Sequence, residues 1–104
     1  MAGARHNSEE SIEYAFCRAL NKWAKEQDLL VESIKLNLTG RRGWPDRVIL
    51  WQGGGILFIE FKRPGEAPRK LQEFVHTILR GLGFTVEIHD DSAIALCSLP
   101  AKLR

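Results

Sequence analysis

Asp46, Glu60 and Lys62 sit inside or at the mouth of two strongly apolar runs, Arg47 to Trp51 and Ile56 to Phe61, which flank a glycine-rich turn. Apolar runs joined in this way signal a β-hairpin. Charges in such a setting are costly unless they pair or hold a metal. Side chains alternate along a strand, so Glu60 and Lys62 share one face while Ile59 and Phe61 take the other. With Gly53, Gly54 and Gly55 as a three-residue loop, Gln52 faces Ile56, Val48 faces Glu60 and Asp46 lies opposite Lys62. Asp46 is then diagonal to Glu60, a separation of roughly 7–8 Å that side chains can close. A two-residue loop would turn Asp46 to the wrong face. Two converging carboxylates make an oxygen-rich pocket for a hard divalent cation, Mg²⁺ or Mn²⁺. One or two such ions suit phosphodiester hydrolysis, because they activate water and neutralise phosphate charge. Lys62, on the same face as Glu60, is placed to stabilise charge at the attacking water or the scissile phosphate.

These residues carry a family resemblance. Pro45-Asp46, followed across the glycine turn by Glu60-Phe61-Lys62, resembles the PD-(D/E)XK nuclease signature. With Gly43-Trp44 and Gln72 added, the set is similar to the VRR-NUC family within that superfamily. The resemblance implies an α/β fold: a restriction-endonuclease-like αβββαβ core with a central mixed sheet flanked by helices. It implies Asp46 and Glu60 as metal ligands, with the Phe61 backbone carbonyl as a further one. Glu13 is the implied first-helix acid, bound to the metal directly or through water, with Glu10 as the alternative. Gln72 is implied to face the catalytic pocket. Short stand-alone relatives, often from phages, act in DNA repair and recombination and resemble homodimeric Holliday-junction resolvases. The expectation is therefore an Mg²⁺- or Mn²⁺-dependent endonuclease for branched DNA, four-way junctions above all, acting as a homodimer in the host cytoplasm. A flap or splayed-arm nuclease and a non-catalytic nucleic-acid-binding module of the same fold are the alternatives. A plain α/β interaction domain with a buried Asp46–Lys62 salt bridge is a third.

The surrounding elements must position this set. Asn7 or Ser8 caps a helix whose stripe of Ile12, Phe16, Ala19, Leu20 and Trp23 runs to about Gln27. Glu9 and Glu10 read as solvated acids of its first turn, and Glu13 borders the stripe. Leu29 to Leu36 is a strand near a sheet edge. The loop from Asn37 to Gly43 delivers Arg41 and Arg42 next to Pro-Asp, where they suit a phosphate clamp. Arg63 and Lys70 are the other candidate nucleic-acid contacts. Both hairpin strands are apolar on both faces, so they belong at the centre, between helices. Proline ends the ribbon after Arg63, and Arg69 to Leu82 is a helix with Leu71, Phe74, Val75, Ile78 and Leu82 as its stripe. Phe84 to His89 is a strand, and residues 93–99 are either helix or strand. His6, His76 and His89 show no spacing that gathers them and read as surface or satisfied residues.

At 104 residues the chain suits one domain spanning 1–104. A net charge of +2 permits a polyanionic partner without demanding one. No apolar run approaches the ~20 residues of a membrane helix, and the N-terminus lacks a signal peptide's apolar stretch. Cys17 and Cys97 read as buried free thiols of a reducing compartment. No small-molecule cofactor motif is present.

Overall fold

Ser8 starts the first helix, α1 (Glu9–Glu26), by accepting the Ser11 N–H on its hydroxyl at 3.1 Å, and Glu9 and Glu10 place negative charge in the first turn. The computed structural model describes residues 8–91 and Ala95; His6, Asn7, Cys97 and all of the 93–99 segment except Ala95 lie outside the described residues. Helix α1 stops at Gln27, and Asp28 adopts a left-handed φ of 54°.

The strands β1 (Val31–Lys35), β2 (Arg47–Trp51), β3 (Gly55–Phe61) and β4 (Thr85–His89) form one sheet in that spatial order. The first three are antiparallel, whereas β4 runs parallel to β3 after a crossover through helix α2 (Lys70–Gly81). A parallel pair needs such a crossover. The order helix, strand, strand, strand, helix, strand and the mixed sheet are those of a restriction-endonuclease-like α/β core. Helix α1 covers one face, packing Ile12, Phe16 and Leu20 on Ile49, Leu57, Ile59 and Phe61. Helix α2 covers the other, packing Val75 and Leu79 on Val48, Phe58 and Val86. The hairpin is thus central and β1 lies at an edge, as its mixed alternation suggested. Phe16 and Phe61 are fully buried with ring centroids 5.4 Å apart, and truncating either to Ala is expected to cost ~3–5 kcal/mol.

Two expectations need correction. The hairpin loop does have three residues, but they are Gln52, Gly53 and Gly54, because Trp51 pairs with Gly55 and Val48 with Phe58. The Trp51 indole lies directly on Gly55, where any Cβ would collide with the ring, and Gly53 and Gly54 take the positive φ values of the turn. The register is therefore two residues from the expected one, which keeps every side chain on its anticipated face. It sets Asp46 level with Glu60 rather than Lys62, and so brings the carboxylates closer than a diagonal.

The second correction concerns α2. Its buried residues are Val75, His76 and Leu79, while Leu71, Phe74, Ile78 and Leu82 form an exposed apolar ridge. The helix is rotated so that Gln72 and His76 meet Glu60 (2.8 Å and 3.5 Å), and polar contacts displace the expected stripe.

Candidate active site

Asp46 is held at both its backbone and its side chain. Its carbonyl accepts the Leu36 N–H at 2.9 Å, extending the β1–β2 ladder, and its Oδ2 accepts the Phe61 N–H at 2.7 Å. This bond reaches past the last β2–β3 pair, Arg47 with Ile59, and pins the carboxylate at the end of the ribbon. In a strand the N–H and C=O of one residue point to the same side, so the Phe61 carbonyl faces the edge that Asp46 occupies.

Glu60 is 1% exposed. Its Oε2 accepts a bond from Gln72 Nε2 at 2.8 Å and lies 3.7 Å from Lys62 Nζ. Its Oε1 lies 3.5 Å from His76 Nε2, and among the described residues neither atom has a hydrogen-bond partner. Burial, and then the charge of Asp46, push the Glu60 carboxyl up to about 7 against the opposing pull of Lys62. Burial also raises Asp46, with the Phe61 N–H opposing it. Two neighbouring carboxylates that both resist ionisation form a site short of positive charge. Among the described residues no group of three His, Cys, Asp or Glu side chains is placed to hold a metal ion. The available donors are two carboxylates and a carbonyl. That set fits Mg²⁺, which commonly takes one or two carboxylates and fills its remaining positions with water and phosphate oxygens.

Gln72 is anchored at both ends: its Oε1 accepts the Arg69 N–H at 2.8 Å while its Nε2 holds Glu60. The glutamine therefore both closes the helix start and orients the carboxylate. Lys62 is buried, its Nζ on the same side of the sheet as Glu60.

Glu13 is placed differently from the expectation. Its carboxylate pairs with Lys35 Nζ at 3.0 Å and Arg47 Nε at 2.6 Å, on the α1 face of the sheet, whereas Glu60 faces α2. The basic residues of β1 and β2 on that face draw it away from Glu60. Glu10 is exposed. The charge of Glu13 still reaches Asp46, more strongly than that of Glu9, whereas Glu9, which read as a solvated cap residue, reaches both Asp46 and Glu60. We expect Glu13→Gln to cost roughly 2 kcal/mol in urea unfolding, since it leaves Arg47 partly buried without its charge partner. Divalent-ion affinity should stay near wild type.

The basic candidates divide. Arg42 lines a cavity of about 450 Å³ with Gly43, Arg69, Leu71 and Gln72, which also bonds Glu60. Arg69 was not among the anticipated nucleic-acid contacts, although the helix start was placed there; its approach to Arg42 and Gly43 is a tertiary contact. Arg41 stacks over Trp44 at 6.0 Å, Arg63 pairs with Glu66 at 3.5 Å, and Lys70 is exposed at the first turn of α2. Gly43 has φ +83°, and a Cβ there would lie 2.8 Å from Leu71 Cγ, so the loop approaches α2 as closely as a glycine permits. Cys17 is a partly buried free thiol, its Sγ 3.7 Å from Ser33 Oγ. No described helix is long and apolar enough to cross a membrane.

No family model matches the chain. Over 56 residues it is 41% identical to "Putative nuclease p44" of Acyrthosiphon pisum secondary endosymbiont phage 1, a match spanning 54% of this chain and 60% of that relative. A solved structure described as "VRR_NUC domain" superimposes with a TM-score of 0.69 at 23% identity, covering 92% of this chain and 97% of the other. The resemblance in the sequence is thus borne out in the backbone: the chain has the fold of a VRR-NUC domain.

Proposed function

We propose that the chain is a divalent-metal-dependent endodeoxyribonuclease that hydrolyses phosphodiester bonds in branched DNA, with the four-way junction as preferred substrate. The observation that carries this reading is Glu60, a fully buried carboxylate pushed up to about 7 beside Asp46, with one oxygen lacking any partner among the described residues. Buried acids left in this condition are characteristic of sites completed by a cation.

In this reading Asp46, Glu60 and the Phe61 carbonyl would hold Mg²⁺ or Mn²⁺. When bound, the ion lowers the pKa of a water and neutralises phosphate charge. Lys62, a compact cation beside Glu60, stabilises negative charge on the attacked phosphate. Gln72 keeps the Glu60 carboxylate from turning. Arg42 and Arg69, across the cavity that Gln72 also lines, hold phosphates flanking the cut, with Arg41, Arg63 and Lys70 farther along the strand. Replacing both Arg42 and Arg69 with Ala should raise KM ~10-fold with kcat little changed, and should flatten the salt dependence of binding.

A homodimer completes the proposal, because a junction offers two symmetry-related strands. The exposed ridge of Leu71, Phe74, Ile78 and Leu82 supports a second copy as its partner. Light scattering should give twice the chain mass, and Phe74→Lys should return the monomer.

The test is a panel of labelled duplex, flap, splayed-arm and four-way DNA with Mg²⁺ or Mn²⁺. The four-way junction should be cut fastest, and EDTA should stop the reaction. Faster cutting of the flap or splayed arm would replace the substrate assignment. Binding without cutting of any substrate would leave a nucleic-acid-binding module instead.

A further inference from the structure

We propose that His76 is a positioning residue for Glu60: its Nε2–H is directed at Glu60 Oε1 and, together with Gln72 on Oε2, fixes the carboxylate in the orientation that binds a divalent cation. This rests on the assignment of Asp46 and Glu60 as the cation site.

Residues 72 and 76 are four apart on α2, so they stack one above the other on a single face. That face addresses both oxygens of one carboxylate. Gln72 Nε2 lies 2.8 Å from Oε2, and His76 Nε2 lies 3.5 Å from Oε1. Glu60 and His76 are each 1% exposed, and among the described residues Glu60 Oε1 and His76 Nε2 have no hydrogen-bond partner. A buried polar atom left unsatisfied costs ~1–3 kcal/mol, and closing the gap by about half an ångström satisfies both atoms at once. An apolar residue would be the ordinary choice beside Val75 and Leu79, which fill the rest of the helix's inner face.

The ring's chemistry follows from its surroundings. A neutral imidazole carries a single N–H, and the partner that the ring faces decides which nitrogen holds it. An Nε2–H tautomer sets a donor against the ionised carboxylate. An Nδ1–H tautomer would set lone pair against lone pair. Side chains that orient metal ligands in this way commonly govern affinity by 10–100-fold.

The experiment uses the full chain. Long-range ¹H–¹⁵N spectra of the metal-free wild type at pH 8.5 should show Nε2 protonated and Nδ1 bare. Calorimetric titration with Mn²⁺ should show His76→Phe, which fills the space without a donor, binding ~10–100-fold more weakly, with His76→Gln recovering to within about threefold of wild type. A bare Nε2 overturns the proposal even if the Phe variant does not fold. So does a folded His76→Phe variant that binds Mn²⁺ like wild type while Asp46→Asn does not, and in that case the cation site itself survives. A folded wild type that takes up no Mn²⁺ overturns the cation site and this role together.

Discussion

Asp46→Asn is expected to lower single-turnover cleavage of a labelled four-way junction by ~10³-fold or more while leaving the fold in place. The amide oxygen of Asn still accepts the Phe61 N–H that the carboxylate accepts at 2.7 Å, so the end of the ribbon keeps its geometry. What disappears is charge: one anionic donor toward the cation, and the repulsion that helps to push Glu60 up. Stabilisation of transition-state charge by a bound metal supplies several kcal/mol, and about 4 kcal/mol corresponds to a thousandfold in rate. Unfolding curves in urea should show a variant at least as stable as the metal-free wild type, because a buried charge is removed, and so separate loss of chemistry from loss of structure. A variant that cleaves within tenfold of wild type would remove Asp46 from the chemistry.

Glu60→Gln is expected to be more stable than the metal-free wild type at pH 8, by up to about 3 kcal/mol, and nearly equal to it at pH 5. The sign follows from the carboxyl's rise from 4.5 to about 7. Across that window the folded protein holds a proton that the unfolded chain has released. The stabilisation is full below about pH 4.5 and is lost as pH climbs through 7. His76, lowered from its usual value, contributes with the opposite sign, so the comparison with Glu60→Gln isolates the carboxylate. Millimolar Mg²⁺ should restore the wild type at pH 8 and leave the variant unmoved. Equal stability of the two proteins from pH 5 to 8 would contradict the burial of an ionisable Glu60.

The order of elements was legible because β2 and β3 are apolar on both faces, and only a sheet covered on both sides accommodates such strands. Face assignment along the hairpin was equally legible, since alternation survives any register change of two. The exact pairing was not. It depends on Trp51 settling on Gly55, a tertiary contact that local periodicity does not contain. Helix α2 misled for a related reason. Its apolar spacing was sound, but the helix is turned by polar contacts from Gln72 and His76 to Glu60, and a polar residue on an inner face leaves no mark in a hydrophobic pattern. The pairing of Glu13 with Lys35 and Arg47 was not legible, because both partners come from strands whose pairing had to be known first. Asp46, Glu60 and Lys62 emerged from type and spacing and Gln72 from the family resemblance, and the structure gathers them around one carboxylate at the end of the ribbon.

The most direct measurement is the electron paramagnetic resonance of Mn²⁺ titrated into wild type, Asp46→Asn and Glu60→Gln. Folded wild type should deplete the free-ion signal, and both variants should leave it standing. A folded wild type that leaves the signal unchanged, or variants that quench it equally well, would contradict a cation held between these two acids.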